Sequence, residues 1–356
     1  MLKLSAQAAA AIVTTMNNMR VLLGMSGGVD SSVAAFLLKE KGYDVLGVTL
    51  ILTENDNGEN ARDAKAVSDF LGIPHKTYDL RKDFKKSVTD YFVSEYKEGR
   101  TPNPCVACNK KIKFGKMLEL ADENGCSHIA TGHYAKILEK ENGAFSLTKA
   151  SFREKDQTYF LYTLSQNQLS RSIMPLGDFS KPEIRELAEK IGINVARKRD
   201  SQDICFIPDG DKNAFLKKYL PEKEGNFVDV NGNVLGKHKG IFHYTVGQRK
   251  GLGMAFGKPM FVLSINPLNN TVVLGEAGSE MSESFEISDT NFILPIPENN
   301  ECMVKVRYSA PEIPCILEKS ENGYKVTLKT PARAITPGQA AVFYVGDEVL
   351  GGGTIL

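Results

Sequence analysis

The segment of this sequence with the clearest chemical character lies between an apolar strand and an amphipathic helix. It reads Gly24-Met25-Ser26-Gly27-Gly28-Val29-Asp30-Ser31-Ser32. Small residues let a backbone wrap around an anion, and the amides and dipole at a helix start attract phosphate. The segment lacks the Gly-Lys-Ser/Thr of a Walker A loop, and its glycine spacing differs from the G-x-G-x-x-G fingerprint. The sequence therefore predicts a phosphate-binding loop of another kind.

Two cysteine-bearing segments supply candidate nucleophiles. Cys105 and Cys108 form a C-x-x-C pair behind the proline-rich approach Thr101-Pro102-Asn103-Pro104, and lysines follow at 110, 111 and 113. Nearby positive charge lowers the pKa of a thiol, and the thiolate is the reactive form. The second segment is Asp200-Ser201-Gln202-Asp203-Ile204-Cys205-Phe206-Ile207. Reactive thiols beside basic residues suit covalent chemistry on an RNA.

The S-G-G-x-D-S-S string in its strand-to-helix context is similar to the signature of the PP-loop ATP pyrophosphatases. The resemblance implies that ATP is cleaved between its α- and β-phosphates, which adenylates a carbonyl oxygen and releases pyrophosphate. It also implies that Asp30 helps to hold Mg²⁺ on the phosphates, while Ser26, Ser31 and the glycine amides hold the pyrophosphate.

Seven separated motifs in one order resemble the tRNA-specific 2-thiouridylases, and the likeness covers essentially all of residues 19–356. They include T-P-N-P…C-N-K…I-K-F, A-T-G-H-Y, K-D-Q-T-Y, D-S-Q-D-I-C-F-I and H-Y-T-V-G-Q-R-K-G-L. The resemblance implies adenylation of O2 of the wobble uridine in tRNAs for Lys, Glu and Gln. A persulfide on Cys205 then delivers sulfur to C2, and Cys108 resolves the persulfide, which leaves a Cys108–Cys205 disulfide.

The same resemblance assigns further residues and a second partner. Leu50, in place of a more usual methionine, and Gly132 flank the ATP. The target base, flipped from the anticodon loop, is lined by Asn103, Pro104 and Cys105. A cysteine desulfurase or a sulfur-relay protein donates the sulfur. The residues implied to contact tRNA are His133, Lys155, Asp156, Gln157, Arg307, Tyr308 and Gln339.

Three departures from the family pattern are visible. Cys105 stands where better-known members carry aspartate, the segment 51–60 is shorter than usual, and residues 1–18 have no counterpart. Cys105, Cys108 and Cys205 are together enough to hold a four-iron cluster with one iron open to sulfide. Family analogy alone separates this alternative from persulfide transfer, and it favours the persulfide. Zinc fits less well, because a structural site needs four ligands.

Two hypotheses of other kinds stay open. One is a non-catalytic module that binds ATP and RNA. The other is an amide or argininosuccinate synthetase of the PP-loop group. Neither has a use for Cys108 and Cys205, so both are disfavoured.

Length and composition set outer limits. A chain of 356 residues predicts two or three domains, and 42% hydrophobic with 24% charged residues is typical of a soluble globular protein. Six cysteines are too few for a disulfide-stapled secreted scaffold. The N-terminus lacks the basic region of a signal peptide, and no stretch reaches the roughly 20 apolar residues of a membrane span. The protein is therefore predicted to be cytoplasmic.

The net charge of +1 hides an uneven distribution. Residues 101–118 and 236–258 contain nine of the 44 basic residues and no acidic residue, so the remainder carries 35 basic against 43 acidic residues. These two segments are expected to hold phosphates locally while the remainder repels RNA. Near-neutrality therefore does not exclude a nucleic-acid partner.

The order of predicted strands and helices divides residues 19–356 into three regions that would position these residues. Residues 1–18 are interpreted as a leader or an over-called start. Residues 19–205 alternate strands and helices and predict a doubly wound parallel α/β sheet, the PP-loop catalytic domain. Residues 206–280 predict a small mixed, β-rich domain that contacts tRNA, and residues 281–356 a β-barrel of about six strands.

Local patterns predict the individual elements of the first region. A capping box of Ser180 and Glu183 starts a helix that ends at Gly192. A proline-rich loop is predicted over 100–109. Strands are predicted at 20–24, 44–50, 76–80 and 128–131, and helices at 31–41, 60–71, 83–98, 114–124 and, beyond this region, 213–219.

Overall fold

A computed structural model of the chain describes residues 19–193, 204–207 and 210–356. The described chain forms two compact units, one of residues 19–85 with 107–193 and one of residues 86–106 with 204–356. The interpretation of residues 1–18 as a leader or an over-called start lies outside the described residues, as do residues 200–203 of the D-S-Q-D-I-C-F-I string.

A five-stranded parallel sheet forms the centre of the first unit, with the strand order β3-β2-β1-β4-β7. Strands β5 and β6 form an antiparallel hairpin, as the polar turn at Asn142 and Gly143 indicates. The predicted parallel α/β architecture is confirmed. The strands of this unit are β1 Arg20–Gly24, β2 Asp44–Ile51, β3 His75–Asp79, β4 His128–Ala130, β5 Ala135–Glu139, β6 Phe145–Lys149 and β7 Ser172–Ile173.

Nine α-helices occur within the described ranges, and two π-helical stretches, Lys85–Thr89 and Asn109–Lys116, adjoin them. None of these helices combines the length and apolar character needed to cross a bilayer. Single 3₁₀ turns occupy Arg153–Lys155, Thr158–Phe160 and Ile241–His243. The α-helices are α1 Val29–Glu40, α2 Glu59–Leu71, α3 Arg81–Phe84, α4 Asp90–Lys97, α5 Pro104–Cys108, α6 Met117–Glu123, α7 Gln166–Ser170, α8 Lys181–Lys190 and α9 Lys212–Leu216.

Strand β1 is buried on both of its faces. Val21, Leu22 and Leu23 are fully buried, as is typical of a central parallel strand covered by helices. One face packs with Val33 of α1 and Ile184 of α8 in a single apolar cluster. The core therefore holds the carboxyl end of β1 and the start of α1 in fixed positions.

The proline-rich loop predicted over 100–109 is wrong in its second half. Helix α5 begins at Pro104, where a proline fits the first helical position because that residue needs no amide donor. The amide of Val106 donates to Oδ1 of Asn103 at 3.3 Å, which supports this start. Cys105 and Cys108 therefore lie three positions apart in one helical segment and not in a loop.

The second unit contains a four-stranded sheet and a closed barrel. The sheet has the order β10-β11-β8-β9 and packs around the fully buried Phe227. The barrel has the order β12-β15-β14-β13-β16-β17, and β17 pairs back onto β12, which confirms the predicted six-stranded barrel. The strands are β8 Gly225–Val228, β9 Val234–His238, β10 Met260–Asn266, β11 Thr271–Glu276, β12 Met281–Phe292, β13 Glu301–Lys305, β14 Ile313–Ser320, β15 Gly323–Arg333, β16 Ala340–Val345 and β17 Glu348–Ile355.

The capping box at α8 is confirmed, since the Ser180 hydroxyl accepts from the Glu183 amide and Glu183 accepts from the Ser180 amide. We expect Ser180→Ala to weaken the first turn of α8 by ~1 kcal/mol, which makes its amide hydrogens exchange about fivefold faster. Ser94→Ala is the control, because the Ser94 hydroxyl donates to Tyr91 inside a helix and caps nothing. Equal exchange at α8 in Ser180→Ala and wild type would contradict the assignment.

Candidate functional site

The loop that follows β1 lies where ligands bind in open parallel sheets. Strands β1 and β4 are neighbours, yet β2 and β3 extend the sheet on one side and β7 on the other. The carboxyl ends of β1 and β4 therefore flank a topological switch point, the usual position of a ligand crevice. Residues 25–28 follow β1 at this point, and residues 131–133 follow β4.

Gly27 fixes the shape of the phosphate loop. Its φ of +69° lies in the left-handed region, and a Cβ there would lie 2.6 Å from the backbone oxygen of Asn60. The loop is closed by Ser31, whose hydroxyl accepts from the Ser26 amide at 3.1 Å and donates to the Gly28 carbonyl at 3.2 Å. Gly28 precedes α1 without a side-chain cap. The helix start is thus arranged as an anion site.

Gly132 meets this loop from the adjacent strand. A Cβ at Gly132 would lie 3.1 Å from the amide nitrogen of Ser31 and 3.2 Å from the carbonyl carbon of Asp30. Glycine therefore leaves the first turn of α1 uncovered by a side chain. The structure brings Gly132 and the phosphate loop together, as the motif analysis expects.

Met25 and Val29 support the loop from inside the core. The Met25 side chain is 2% exposed, its amide donates to the Val48 carbonyl at 2.8 Å, and its carbonyl accepts from Thr49 Oγ1 at 2.9 Å. Val29 is buried as well, and Leu50 is half-buried. At Met25 and Val29 only the backbone is therefore placed to contact a nucleotide.

Asp30 is held by two residues that sequence reasoning misses. The Lys181 ammonium donates to both carboxylate oxygens of Asp30 at 2.8 Å, and the Tyr134 hydroxyl donates to Oδ1 at 2.7 Å. Tyr134 adjoins the Gly132-His133 pair, so its motif offers a signal. Lys181 has none, because only the fold brings the start of α8 to α1.

The two thiols of the C-x-x-C pair differ in environment. Cys105 is exposed, whereas the side chain of Cys108 is 7% exposed. The next residue, Asn109, is buried and donates from Nδ2 to the Phe160 carbonyl at 3.1 Å. Cys108 is thus fixed in the core of the first unit, while Cys105 faces solvent.

A turn of the barrel holds the backbone that precedes Cys105. The Gln339 side chain donates to the carbonyls of Thr101 at 2.8 Å and Pro102 at 3.2 Å, and the Thr101 amide donates to the Pro337 carbonyl at 2.8 Å. The turn is anchored to β17, since the Ile355 amide donates to the Gln339 carbonyl at 2.8 Å. The resemblance implies that Gln339 contacts tRNA, but in this structure its side-chain amide donates to the protein backbone.

Cys205 is exposed, and the adjacent residue, Phe206, anchors the backbone beside it. Phe206 is buried and packs edge to face with Phe92 at 5.4 Å and Phe215 at 5.3 Å between ring centroids. This aromatic cluster holds the described end of the segment. The buried Phe206 side chain thus fixes the position of the backbone next to Cys205.

His133 does not lie on the surface, contrary to what its implied contact with tRNA requires. The side chain is buried beside Phe114, and Nδ1 lies 2.8 Å from Thr131 Oγ1. Desolvation, with a smaller contribution from Lys113, lowers the pKa of His133 well below its usual value. A neutral imidazole carries no charge to offer a phosphate, so the implied contact of His133 with tRNA stays a prediction.

Other residues implied to contact tRNA also bind the protein itself. Asp156 accepts from the Ala150 amide at 2.9 Å and the Thr158 hydroxyl at 2.6 Å. Gln157 accepts from the Tyr134 amide at 3.0 Å.

Two such residues lie on the barrel and one on a 3₁₀ turn. Arg307 donates to the carbonyls of Val246 at 3.0 Å and Ala334 at 3.1 Å. Tyr308 is 38% exposed, and Lys155 is half-buried.

The described residues at the phosphate loop fit a magnesium ion. Across the described ranges, no three His, Cys, Asp or Glu side chains are grouped closely enough to hold a metal ion by themselves. Mg²⁺ needs only one or two carboxylates when phosphates complete its shell, and Asp30 at the phosphate loop meets that need.

Three family matches follow one another along the chain. Residues 19–209 match the family described as tRNA methyl transferase HUP domain, residues 213–276 the tRNA methyl transferase PRC-barrel domain, and residues 282–355 the aminomethyltransferase beta-barrel domain. The parallel sheet with its phosphate loop and the closed barrel agree with this order. The protein is thus a HUP-domain protein extended by two β-rich regions.

Curated relatives narrow this class. The chain is 46% identical over 354 residues to tRNA-specific 2-thiouridylase MnmA of Lachnoclostridium phytofermentans, covering 95% of this chain and 99% of the relative. It is 49% identical over 352 residues to tRNA-specific 2-thiouridylase MnmA 1 of Clostridium botulinum strain Hall, covering 94% and 99%. The chain therefore belongs to the tRNA-specific 2-thiouridylase family, which confirms the resemblance inferred from its motifs. A solved NMN synthetase of Francisella tularensis is 16% identical to this chain. Its TM-score is 0.35 over 54% of this chain and 74% of that one, which is too low to support a functional comparison.

Gly27→Ala tests the loop geometry, with Gly143→Ala as the control for a left-handed φ penalty at a site away from the loop. Gly27→Ala adds both a left-handed φ penalty and a clash with Asn60, whereas Gly143→Ala adds only the penalty, because Gly143 has φ +78° with nothing within 4 Å. We expect Gly27→Ala to weaken ATP binding about tenfold or more, since the loop amides are displaced. Titration calorimetry with Mg·ATP measures this. Equal affinity in the two variants would show that the loop geometry is unimportant.

The barrel turn is tested by replacing the amide donor of Gln339. Gln339→Glu cannot donate to the Thr101 and Pro102 carbonyls, so we expect faster amide hydrogen exchange over 101–106. Asn270→Asp is the matched control, because the Asn270 amide also donates to two consecutive carbonyls, elsewhere in the same unit. Exchange over 101–106 that matches wild type in Gln339→Glu would refute the positioning role.

Proposed function

We propose that this chain is a cytoplasmic enzyme that catalyses the ATP-dependent 2-thiolation of the wobble uridine in tRNAs for Lys, Glu and Gln. The observation that carries the proposal is the phosphate loop at the switch point of the sheet, in a chain whose relatives are named for 2-thiouridylation. Such a loop suits activation of an oxygen by ATP, and Cys108 and Cys205 supply the thiols that sulfur transfer needs.

The first step activates the uridine. O2 attacks the α-phosphorus of ATP, the bond to the β-phosphate breaks, and pyrophosphate leaves. The amides of Gly27 and Gly28, the Ser26 hydroxyl and the start of α1 hold this anion, while Ser31 keeps the loop closed by accepting from the Ser26 amide. Asp30 would help to hold Mg²⁺, which would neutralise phosphate charge. Gly132 keeps the helix start open to the phosphates.

The second step transfers sulfur with its electrons balanced. The terminal sulfur of a Cys205 persulfide attacks C2, and AMP leaves with O2. The Cys108 thiolate then attacks Sγ of Cys205, the sulfur–sulfur bond breaks, and its electron pair stays on the sulfur at C2. A Cys108–Cys205 disulfide forms. An external dithiol reduces it, and a cysteine desulfurase or sulfur-relay protein reloads Cys205.

Binding of the tRNA backbone is assigned first to the exposed lysines 110 and 111, which follow Cys108. Phosphate contacts by lysine supply most of the salt-dependent affinity for RNA. Asn103, Pro104 and Cys105 line the target base in this proposal.

The proposal also divides the chain into three regions. They are a catalytic domain at 19–205, a tRNA-contacting domain at 206–280 and a barrel at 281–356.

The two basic segments are less strongly charged than their composition indicates. Three of their nine lysines and arginines pair with carboxylates contributed by neighbouring parts of the fold, which reduces the charge they offer to RNA. These pairs are Lys116–Glu119, Lys237–Glu224 and Lys258–Glu276.

Two alternatives have less support. A cluster-dependent thiolase would use Cys105, Cys108 and Cys205 as one ligand group, and nothing in the names of the relatives points to a cluster. A methyl transferase, as the family descriptions read, has no need of a pyrophosphate-holding loop or of two cysteines. The relatives' names also point to sulfur and not to methyl transfer.

Single substitutions separate the two proposed steps in a reconstituted reaction with unmodified tRNA, Mg·ATP, a cysteine desulfurase with cysteine as the persulfide donor, and a dithiol reductant. Asp30→Ala should abolish AMP and pyrophosphate release. Cys108→Ser and Cys205→Ser should keep tRNA-dependent AMP formation but reduce 2-thiouridine to background. Mass spectrometry of the digested tRNA and quantification of AMP measure the two products.

Cys126→Ser is the matched control, because Cys126 is buried and burial raises the pKa of its thiol. It should thiolate like wild type. Full thiolation by Cys205→Ser, or full AMP release by Asp30→Ala, would overturn the mechanism. Methylation of the same tRNA from a methyl donor, without thiolation, would overturn the proposed function.

A further inference from the structure

The barrel contains two cysteines that face each other across neighbouring strands. Cys302 lies on β13 and Cys315 on β14, and the antiparallel register places them directly opposite each other. Their Sγ atoms are 3.5 Å apart and in hydrogen-bond contact. The two residues are not joined, since the sulfurs of a disulfide lie about 2.05 Å apart. The barrel therefore holds a reduced pair of thiols in direct contact.

The backbone at this pair already meets the requirements of a disulfide. Opposed residues of an antiparallel pair have Cα atoms about 4.5–5.5 Å apart, within the range of about 4.4–6.8 Å that disulfides span. Strand β13 also pairs with β16, and β14 also pairs with β15, so each strand is held on both sides. Side-chain rotation that brings the sulfurs about 1.5 Å closer is therefore enough to form the bond.

The two thiols have different environments. Both belong to the apolar core of the barrel, but Cys302 is 8% exposed and Cys315 only 1%. The hydrogen bond to Cys302, together with burial, raises the pKa of Cys315. Cys315 thus keeps its proton and donates it toward the Cys302 sulfur. A small oxidant that enters from solvent therefore meets Cys302 first.

We propose that Cys302 and Cys315 form a peroxide-sensitive modification site, which closes to a cross-strand disulfide. The Cys302 sulfur attacks one oxygen of hydrogen peroxide, the O–O bond breaks, and water leaves, which gives a sulfenic acid. The Cys315 sulfur then attacks Sγ of Cys302. The S–O bond breaks, the hydroxyl leaves with the Cys315 proton as a second water, and the disulfide forms. One peroxide is reduced for each pair of thiols oxidised.

This pair takes no part in the two steps proposed above, so its oxidation is independent of the proposed function. The disulfide joins residues 13 positions apart in the chain, and such a cross-link restricts the unfolded barrel. The oxidised barrel should therefore open less often than the reduced one. An external dithiol reverses the modification by thiol–disulfide exchange.

Peptide mapping of folded, full-length wild type tests the proposal. The protein is treated with a small excess of hydrogen peroxide, and remaining thiols are then alkylated. Trypsin cleaves after Lys305 and Arg307, between the two cysteines, so the disulfide joins two otherwise separate peptides. We expect the joined peptides in most molecules and their separation by dithiothreitol. Cys126 is the internal control and should stay reduced, because it is also buried but its Sγ contacts the Asn124 carbonyl, at 3.9 Å.

Single substitutions test the order of attack. Cys315→Ala removes the second thiol, so Cys302 should proceed from sulfenic to sulfinic acid. Cys302→Ala should leave Cys315 reduced, because its thiol is buried and protonated. Oxidation of Cys315 in Cys302→Ala as fast as that of Cys302 in Cys315→Ala would contradict this order. Absence of the joined peptides from folded wild type, or their formation only after unfolding in urea, would refute the proposed site.

Amide hydrogen exchange measures the effect on the barrel. We expect exchange in β13 and β14 to slow about tenfold or more in the oxidised protein, since the cross-link disfavours opening. The β5–β6 hairpin of the other unit is the control and should exchange at its original rate. Equal exchange of β13 and β14 in the oxidised and reduced protein would show that the disulfide does not stabilise the barrel.

Discussion

The start of α1 must stay uncovered by side chains, and much of the first unit depends on that requirement. Gly27 allows the loop to turn against Asn60, and Gly132 allows the neighbouring strand end to approach Ser31 without covering it. The approach at Gly27 is too close for a Cβ, and the one at Gly132 would leave a Cβ tightly crowded. The buried β1 strand supplies the rigid base, because Val21 and Leu23 fix its end in the core. A polar anion site thus rests on apolar packing directly beneath it.

Several features were predictable because their causes are local. The glycine and serine pattern of the phosphate loop, the Ser180–Glu183 capping box and the alternation of strands and helices each depend on neighbouring residues. Helix α5 was missed because prolines in a sequence suggest a loop, although Pro104 at a first helical position favours a helix. The site partner Lys181 was missed because its contact with Asp30 depends on the tertiary packing of α8.

The motif resemblance points to candidate site residues, but it does not show which groups their side chains contact. Gln339 and Arg307 donate to backbone carbonyls, and the His133 ring is buried. A sequence motif does not distinguish a polar side chain that shapes a loop from one that binds RNA. The charge count has a similar limit, since Lys258 pairs across strands with Glu276. Only the fold distinguishes these cases.

The turn that steadies Thr101 and Pro102 is held by β17, the strand that also closes the barrel onto β12. During synthesis the N-terminal parts of a chain emerge and fold first. The sheet and its phosphate loop are therefore complete well before residue 355 leaves the ribosome. The approach to Cys105 receives its support only after that. A nascent chain thus forms its glycine-rich loop early and orders the approach to Cys105 last.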